Sequence, residues 1–199
     1  MAGSNHVTCH RIVIAEDDSC VRLFLREVLE QLGHQVIGEA ASGPEMVETV
    51  LAHRPELVVF DIHMPGQDGL AALRQIYQER VVAAVAITAD RDQDLVRRAT
   101  EEHVLAYLVK PVETHDLGPA IQVAWSRFQE LQSLTSEITS LRETLQNRKT
   151  IERAKGLLMK RHRWSEAEAF RRIQRGAMNR RLPMIAVARD ILTNENVQL

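Results

Sequence analysis

Five polar side chains from four separate places in the chain have the types needed to accept a phosphoryl group on a carboxylate. These residues are Glu16, Asp17, Asp61, Thr88 and Lys110. Converging carboxylates are costly to leave unpaired, and Mg²⁺ neutralises them because it prefers oxygen ligands plus water. An Asp beside that cation, a hydroxyl and a Lys can accept a phosphoryl group, since the cation and the ammonium stabilise charge on the moving oxygens.

Short apolar runs that alternate with helical patterns predict the fold that brings these residues together. The runs are "RIVIA" (11–15), "QVIGEA" (35–40), "ELVVFD" (56–61), "VVAAVAIT" (81–88) and "LAYLVK" (105–110). An amphipathic helical pattern follows each of the first four runs, the last of them from Asp92 to Glu102. This alternation predicts an α/β class with a doubly wound parallel sheet, whose site lies beyond the carboxyl ends of the strands.

The five polar residues stand at those expected strand ends. Runs that are apolar throughout are typical of central strands buried on both faces, so their polar ends are conspicuous. An acidic rim on an ordinary sheet is the alternative interpretation. The recurrence of suitable residue types at successive strand ends favours a phosphoryl-accepting site with a bound cation instead.

The segments "IAEDD", "VVFDIHMPGQDG", "ITA" and "YLVKP" resemble the receiver domain of bacterial response regulators over residues 10–125. The resemblance implies a flavodoxin-like five-stranded fold and a sensor histidine kinase as the partner that phosphorylates Asp61. It also implies Mg²⁺ as the cofactor, held by Asp61, by Asp17, by Glu16 with help from water, and by the backbone carbonyl of His63.

The same resemblance assigns roles to three more residues. Lys110 would pair with the phosphoryl group, and Thr88 and Tyr107 match the switch pair, in which the hydroxyl turns to the phosphate and the ring moves inward. Two positions depart from the usual pattern: Glu16 stands where Asp is commoner, and the side chain of His63 can influence hydrolysis of the aspartyl phosphate. A solvated surface histidine is the alternative for His63.

Charge is distributed unevenly along the chain. Residues 1–147 hold 12 Lys and Arg against 22 Asp and Glu, whereas residues 148–199 hold 13 against 5. An acidic part followed by a basic part indicates two modules, and a polyanion is the expected partner of the basic one.

A long helix connects the two modules. From Leu117 the apolar positions run Ile121, Ala124, Phe128 and Leu131 in heptad steps, and a double step of three interrupts the seam before it continues to Leu145. No Pro or Gly interrupts residues 120–155, which predicts a rod of about 50 Å at 1.5 Å per residue. We expect a coiled-coil linker helix over 117–147, and either a second copy or the chain itself covers the seam.

The basic part predicts a small helical bundle. The rod continues through "TIERAKGLLMKRH" (150–162), and Trp164 and Ser165 break it. "SEAE" is a capping box in which Ser165 caps the next helix, and Pro183 stands at the start of a final helix. Arg171, Arg172 and Arg175 share one face of the middle helix. The final helix carries few charges, which disfavours readout of a DNA duplex and favours RNA, whose loop bases can stack on arginine planes.

"RKTIERAKGLLMKRHRWSEAEAFRRIQRGAMNRR" with "PMIAVARDIL" resembles the ANTAR domain of transcription antitermination regulators over residues 138–195. The resemblance implies a three-helix RNA-binding domain that binds paired stem-loops in leader RNA as a dimer and prevents transcription termination. We therefore expect a homodimer when Asp61 is phosphorylated. Candidate RNA contacts, from charge and helical position, are Arg148, Lys149, Arg153, Lys155, Lys160, Arg171, Arg172, Arg175, Arg180 and Arg181. A DNA-binding transcription factor and a module that recruits a protein remain as alternatives.

Several single residues carry further expectations. Gly156 in mid-helix predicts a close helix approach, and Trp164, Phe170 and Met178 are interpreted as packing residues rather than base-stacking ones. Cys9 and Cys20 form no disulfide framework. With no run of 18 apolar residues and no apolar leader, we expect a cytoplasmic protein without membrane contact. Outside the receiver's own phosphoryl chemistry no acid–base or nucleophile cluster stands out, so no enzyme is predicted.

Overall fold

The computed structural model describes residues 8–89 and 103–193. The chain divides between Gln132 and Ser133 into two compact units, which are described separately. The predicted helix from Asp92 to Glu102 lies outside the described residues.

The first unit is built on a parallel sheet of five strands. These are β1 (Arg11–Ala15), β2 (Gln35–Ala40), β3 (Leu57–Asp61), β4 (Ala83–Thr88) and β5 (Ala106–Val109). The strand order β2-β1-β3-β4-β5 puts β3 in the centre, and all neighbouring strands run parallel. The strands match the predicted apolar runs, so the doubly wound α/β prediction is confirmed.

Helices cover both faces of this sheet. They are α1 (Ser19–Gln31), α2 (Gly43–His53) and α3 (Gly69–Glu79), together with the first turns of the long helix α4 (Thr114–His162). Alternate residues of β1 enter opposite cores: Val13 packs with α2 and α3, whereas Ile12 and Ile14 pack with α1 and α4. The central strands are therefore buried on both faces, and their polar groups can reach solvent only at the strand ends.

Helix α4 extends through the boundary between the units and is 49 residues long. Its predicted apolar seam beyond the receiver is half exposed, with 49% exposure at Leu131, Leu134 and Ile138 and 58–59% at Leu141 and Leu145. Each of these five apolar side chains is therefore about half exposed within its own unit.

The second unit is a bundle of three helices, formed by the end of α4, α5 (Glu166–Arg180) and α6 (Met184–Thr193). Its core contains Leu158, Ile173, Val187 and Ile191, which line the facing sides of the three helices. Ser165 and Glu168 form the predicted capping box at the start of α5, and Arg181 ends this helix in the left-handed conformation. The prediction of a small all-α bundle is confirmed.

Two predictions about single residues find no support in the contacts within this unit. A Cβ atom built on Gly156 would meet no described atom within 4 Å, so this glycine does not serve a close helix approach within the chain. Met178 is 73% exposed, so it does not lie in the core of the bundle, and the alternative of a position at its rim stays a prediction. Phe170 is also exposed, whereas Trp164 is partly buried against the bundle core, as predicted.

Candidate functional site

Three carboxylates meet at the carboxyl ends of two adjacent strands. Glu16 and Asp17 follow β1, and Asp61 is the last residue of β3, which pairs with β1. One oxygen of each carboxylate lies within 4.8 Å of the others. Glu16 and Asp61 are buried, whereas Asp17 is exposed, so the cluster opens to solvent on one side. The structure thus brings together the three acidic residues that the sequence placed at strand ends.

Lys110 reaches this cluster from the end of β5. Its Nζ atom donates to Oδ2 of Asp61 at 2.5 Å and to Oε1 of Glu16 at 2.9 Å. Burial opposes the charged form of Lys110, but hydrogen bonds to the two carboxylates and their charges outweigh burial and raise its pKa. The ammonium therefore stays protonated and is held against Asp61.

The environment of Glu16 differs from that of an exposed acid. Complete burial raises the pKa of this carboxyl, and the nearby charge of Asp61 adds to the effect, although the hydrogen bond from Lys110 opposes it.

The second oxygen of Asp61, Oδ1, accepts a hydrogen bond from the backbone N–H of His63 at 3.0 Å. The imidazole of His63 is exposed, in line with the alternative of a solvated histidine.

The proposed switch residues lie on the two strands beyond β3. Thr88 is the last residue of β4 and is only 2% exposed, and its carbonyl accepts from the backbone N–H of Lys110 at 2.7 Å. Tyr107 lies on β5, and its ring is 47% exposed. The structure therefore places Thr88 at the carboxyl end of β4, on the same edge of the sheet as the acidic cluster, and leaves Tyr107 half exposed.

Two residues that support the site were not predicted from the sequence. Arg22 donates from NH1 to the backbone carbonyl of Glu16 at 2.5 Å, and its Nε pairs with Glu39 at 3.2 Å, so it fixes the loop after β1. Gly69 lies so close to Asp61 that an added Cβ would be 2.2 Å from the Asp61 carbonyl oxygen. Arg22 and Arg26 both contact Glu39. Their spacing of four residues, which places them on one face of α1, is the sequence feature that could have predicted this contact.

The donor set of the acidic cluster fits a hard cation. All three side chains offer carboxylate oxygens, with no sulfur or imidazole among the group, and Mg²⁺ prefers such ligands. The open side next to Asp17 leaves room for water ligands. The cluster is therefore compatible with Mg²⁺.

A second charged feature lies on the helical bundle. A cavity of about 190 Å³ is lined by Trp164, Glu168, Arg171, Arg172 and Arg175, so the three arginines share a face as predicted. The Arg172 guanidinium lies 5.0 Å from the centre of the Trp164 ring, and the His162 ring stacks on Trp164 at 4.3 Å. These contacts fix the orientation of Trp164 beside the arginines.

Lys155 does not belong to this basic face. Its side chain is only 7% exposed, and its Nζ atom contacts Glu166 at 2.7 Å and Glu152 at 2.9 Å. The hydrogen bonds that Lys155 donates to these two carboxylates raise its pKa, and the one to Glu166 has the larger effect. Lys155 therefore joins α4 to the start of α5, and its charge is already paired within the bundle, which disfavours its selection as an RNA contact.

The remaining candidates are exposed: Arg148, Lys149, Arg153, Lys160, Arg171, Arg172, Arg175, Arg180 and Arg181. Arg180 also forms an ion pair with Asp190 at 2.6 Å. In the described residues, no helix is both long and apolar enough to span a bilayer.

Comparison with known proteins identifies both units. Residues 12–122 match the model of the response regulator receiver domain, and residues 139–192 match that of the ANTAR domain. The chain is 45% identical to the transcriptional regulatory protein PdtaR of Mycobacterium tuberculosis over 182 residues, which cover 92% of this chain and 89% of PdtaR. The chain belongs to the response regulators that carry a receiver and an ANTAR domain.

Other relatives of this response regulator share its receiver domain. The chemotaxis protein CheY of Bacillus subtilis is 34% identical over 113 residues, which cover 56% of this chain and 94% of CheY. The crystal structure of a LuxR-family two-component response regulator from Aurantimonas sp. SI85-9A1 superposes with a TM-score of 0.57 at 26% identity. That match covers 60% of this chain and 86% of the other. The response regulator thus has the flavodoxin-like receiver fold that the sequence predicted.

Proposed function

We propose that this response regulator is a phosphorylation-controlled antiterminator, which accepts a phosphoryl group on Asp61 and binds stem-loop leader RNA through its ANTAR domain. The observation that carries the proposal is the contact between Lys110 and Asp61 within the cluster of three carboxylates. It supports an acceptor site at the edge of the receiver, and the exposed arginines of the bundle support an anionic partner.

The phosphoryl donor is a sensor histidine kinase. An oxygen of Asp61 attacks the phosphorus atom, the bond between phosphorus and the donor imidazole nitrogen breaks, and an acyl phosphate forms on Asp61. Lys110 moves from the Asp61 carboxylate to the phosphoryl oxygens, where its ammonium stabilises the developing charge. Asp17, Asp61, the backbone carbonyl of His63 and, with help from water, Glu16 would hold Mg²⁺, which would supply further charge stabilisation.

Thr88 and Tyr107 carry the change away from Asp61. A phosphoryl group adds about −1.5 to −2 charge, and the Thr88 hydroxyl at the same edge is placed to turn toward it. The half-exposed Tyr107 ring would then move inward. We propose that the altered surface around β4 and β5 favours a homodimer, whose half-exposed seam from Leu131 to Leu145 packs as a coiled coil.

The basic face of the ANTAR domain binds RNA in this proposal. Nine of the ten candidate cations are exposed, and Arg172 and Arg175 take part in no ion pair among the described residues. Two bundles in a dimer would engage two stem-loops, which raises avidity without new contacts. Binding of paired stem-loops would prevent formation of a terminator hairpin in the leader RNA.

The proposed domains are a receiver over 10–125, a linker helix over 117–147 and an ANTAR domain over 138–195. Both the kinase's phosphoryl group and the nascent transcript are cytoplasmic, so we propose that the protein acts there. We propose no enzymatic activity beyond phosphorylation and dephosphorylation of Asp61.

A duplex DNA target is the second candidate, but α6 does not favour it. Only Arg189 and Asp190 are charged in this helix, and Asp190 is paired with Arg180. One unpaired cation on a largely apolar helix is a poor reader of major-groove base edges.

The choice between RNA and DNA is tested by titration at fixed, near-physiological salt, because phosphate contacts depend strongly on ionic strength. The full-length protein, activated with Mg²⁺ and beryllofluoride, is titrated with a two-hairpin leader RNA and with duplex DNA of the same sequence. The proposal predicts tighter binding to RNA, which Arg171→Ala and Arg175→Ala weaken. Preference for the duplex would contradict it.

A further inference from the structure

Three arginines stand at the amino ends of three adjacent strands, at the edge of the sheet opposite the acidic cluster. Arg11 is the first residue of β1, Arg54 lies three residues before β3, and Arg80 lies three residues before β4. These strands are neighbours in the order β1-β3-β4. Because parallel strands begin at one edge, the three guanidinium groups gather there, just as the carboxylates gather at the other edge.

Backbone carbonyls hold two of the guanidinium groups in place. Arg80 donates from NH2 to the carbonyl of Pro55 at 3.1 Å, and Arg11 donates to the carbonyl of His53 at 2.9 Å. The NH1 atom of Arg80 is buried and has no hydrogen-bond partner in the protein. A buried donor without an acceptor is unfavourable, and it is more so on a charged group.

A cavity of about 390 Å³ opens beside these groups, lined by Leu51, Arg54, Glu79, Arg80 and Val81. Among the described residues, no carboxylate forms an ion pair with Arg54 or Arg80. Glu79 lines the cavity, and Glu56 is occupied by the backbone N–H of Arg11 at 2.9 Å. The C-terminal ends of α2 and α3 offer partial negative charge, equivalent to about half a charge each.

The positive charges of the three guanidinium groups repel one another, although the partial negative charges of the helix ends lie nearby. Burial lowers the pKa of Arg80, and the charges of Arg54 and Arg11 lower it further. The charges of three cations are thus concentrated at one edge of the sheet, next to a cavity and an unsatisfied donor.

We propose that the amino edge of the sheet carries an anion site, in which Arg54 and Arg80 bind a small phosphate-class oxyanion. The planar guanidinium fork matches the oxygens of such an anion, and a rotation of the Arg80 side chain would bring its buried Nη1 atom to a phosphate oxygen, the acceptor that it lacks within the protein. The site is separate from the phosphoryl-accepting Asp61 and belongs to the receiver alone.

The test is a titration of the full-length protein with inorganic phosphate. Binding is monitored by NMR through the backbone amide resonances of Leu51, Glu79 and Val81. Chloride at the same ionic strength is the reference, and Mg²⁺ is omitted so that the acidic cluster repels the anion. Phosphate should move these resonances along a saturable curve, whereas chloride should leave them in place. Because the bundle also has exposed arginines, Arg175→Ala serves as a control and should not change the curve.

Substitutions at the site distinguish binding from general charge. Arg54→Gly removes a guanidinium at a residue with φ of +49°, a conformation that glycine adopts readily, so the fold should persist. It should weaken phosphate binding about tenfold or more, and Arg80→Lys should weaken it similarly because the fork is lost. Glu79→Gln removes the cavity's carboxylate and should tighten binding. Linear shifts that chloride reproduces, or curves that Arg54→Gly leaves unchanged, would overturn the proposal.

Discussion

The Nζ atom of Lys110 lies 2.5 Å from Oδ2 of Asp61, although the two residues are 49 positions apart in the sequence. This ion pair occupies one oxygen of the carboxylate on which we place the phosphoryl group, and the backbone N–H of His63 binds the other oxygen. Each carboxylate oxygen keeps a further lone pair that a cation could use. Asp17 is the one exposed carboxylate of the three, so its contribution to Mg²⁺ binding can be tested separately.

Removing the exposed carboxylate should weaken Mg²⁺ binding selectively. We expect Asp17→Asn to raise the Kd for Mg²⁺ about tenfold or more, because an oxygen ligand with full charge is lost. Asp18→Asn is the matched control. Asp18 caps α1 by accepting from the backbone N–H of Cys20 at 2.8 Å, and Asn caps equally well.

Calorimetric titration and the Mg²⁺-dependent rise in Tm measure this effect. Saturation of a site at 100 times its Kd stabilises the folded state by about 2.7 kcal/mol. Equal losses in Asp17→Asn and Asp18→Asn would show that only the net charge of the loop matters.

A buried pair of histidines should make the stability of the receiver depend on pH. His10 and His34 are almost fully buried, their rings stack at 5.3 Å, and Nδ1 of His34 accepts from the backbone N–H of His10 at 3.3 Å. Burial lowers the pKa of both imidazoles below 6.5; the charge of Glu56 partly opposes this at His10, and that of His10 adds to it at His34. The unfolded chain therefore binds protons first on acidification, and the free energy of unfolding falls.

We expect the free energy of unfolding to fall as the pH is lowered from about 7.5 to about 5.5. The loss should be smaller in His34→Asn, in which the amide oxygen of Asn replaces Nδ1 as the hydrogen-bond acceptor. Urea unfolding is followed by the fluorescence of Trp125, which contacts His10, in a Trp164→Phe background. Glu16, whose pKa is raised, has the opposite effect on stability at low pH. This effect is the same in the parent protein and in His34→Asn, so it cancels when their free energies of unfolding are subtracted. His115→Asn, at an exposed position, should behave like the parent protein; an equal loss in His34→Asn would contradict the account.

The helical glycine at position 156 should tolerate a side chain. A Cβ atom there meets no described atom within 4 Å, so Gly156→Ala should stabilise the bundle by about 1 kcal/mol through helix propensity alone. Gly69→Ala should have the opposite effect, because its Cβ would lie 2.2 Å from the carbonyl oxygen of Asp61. Urea unfolding measures both. If Gly156→Ala instead weakens RNA binding or dimerisation, a partner approaches the helix at this residue.

Two lysines on the same helix should separate stability from RNA binding. Lys155 is buried between Glu152 and Glu166, so Lys155→Met should lower the Tm of the bundle and leave the RNA affinity of folded protein within about twofold. Lys160 is exposed, so Lys160→Met should leave the Tm of the bundle unchanged and weaken RNA binding. The dependence of RNA affinity on salt concentration should also fall by the amount expected for the loss of about one phosphate contact. Loss of RNA affinity in folded Lys155→Met would restore that lysine to the RNA interface.

The acidic site could be predicted because its geometry follows from strand order. A parallel strand that is buried on both faces exposes polar groups only at its ends, so Asp61 and Glu16 had to meet once β1 and β3 were neighbours. The same reasoning predicts that Lys110, which directly follows β5, lies at this edge of the sheet. The contacts of Arg22 with the loop after β1 depend on how α1 lies against β2, and strand alternation alone contains no such information.

The bundle was predicted less fully because helical periodicity shows which residues share a face, but not which face another helix covers. Lys155 and Lys160 look equivalent in the sequence, yet the start of α5 lies over Lys155 alone. Met178 has the same apolar character as the core residues of α5, and only the position of α6 leaves it exposed.

Control of RNA binding by Asp61 is the central claim, and one titration tests it most directly. Leader RNA affinity is measured for the full-length protein and for Asp61→Asn, each with and without beryllofluoride in the presence of Mg²⁺. The account predicts at least about tenfold tighter binding on activation of the parent protein, since a dimer engages two stem-loops, and no change in Asp61→Asn. Equal affinities for the parent protein in both states would contradict it.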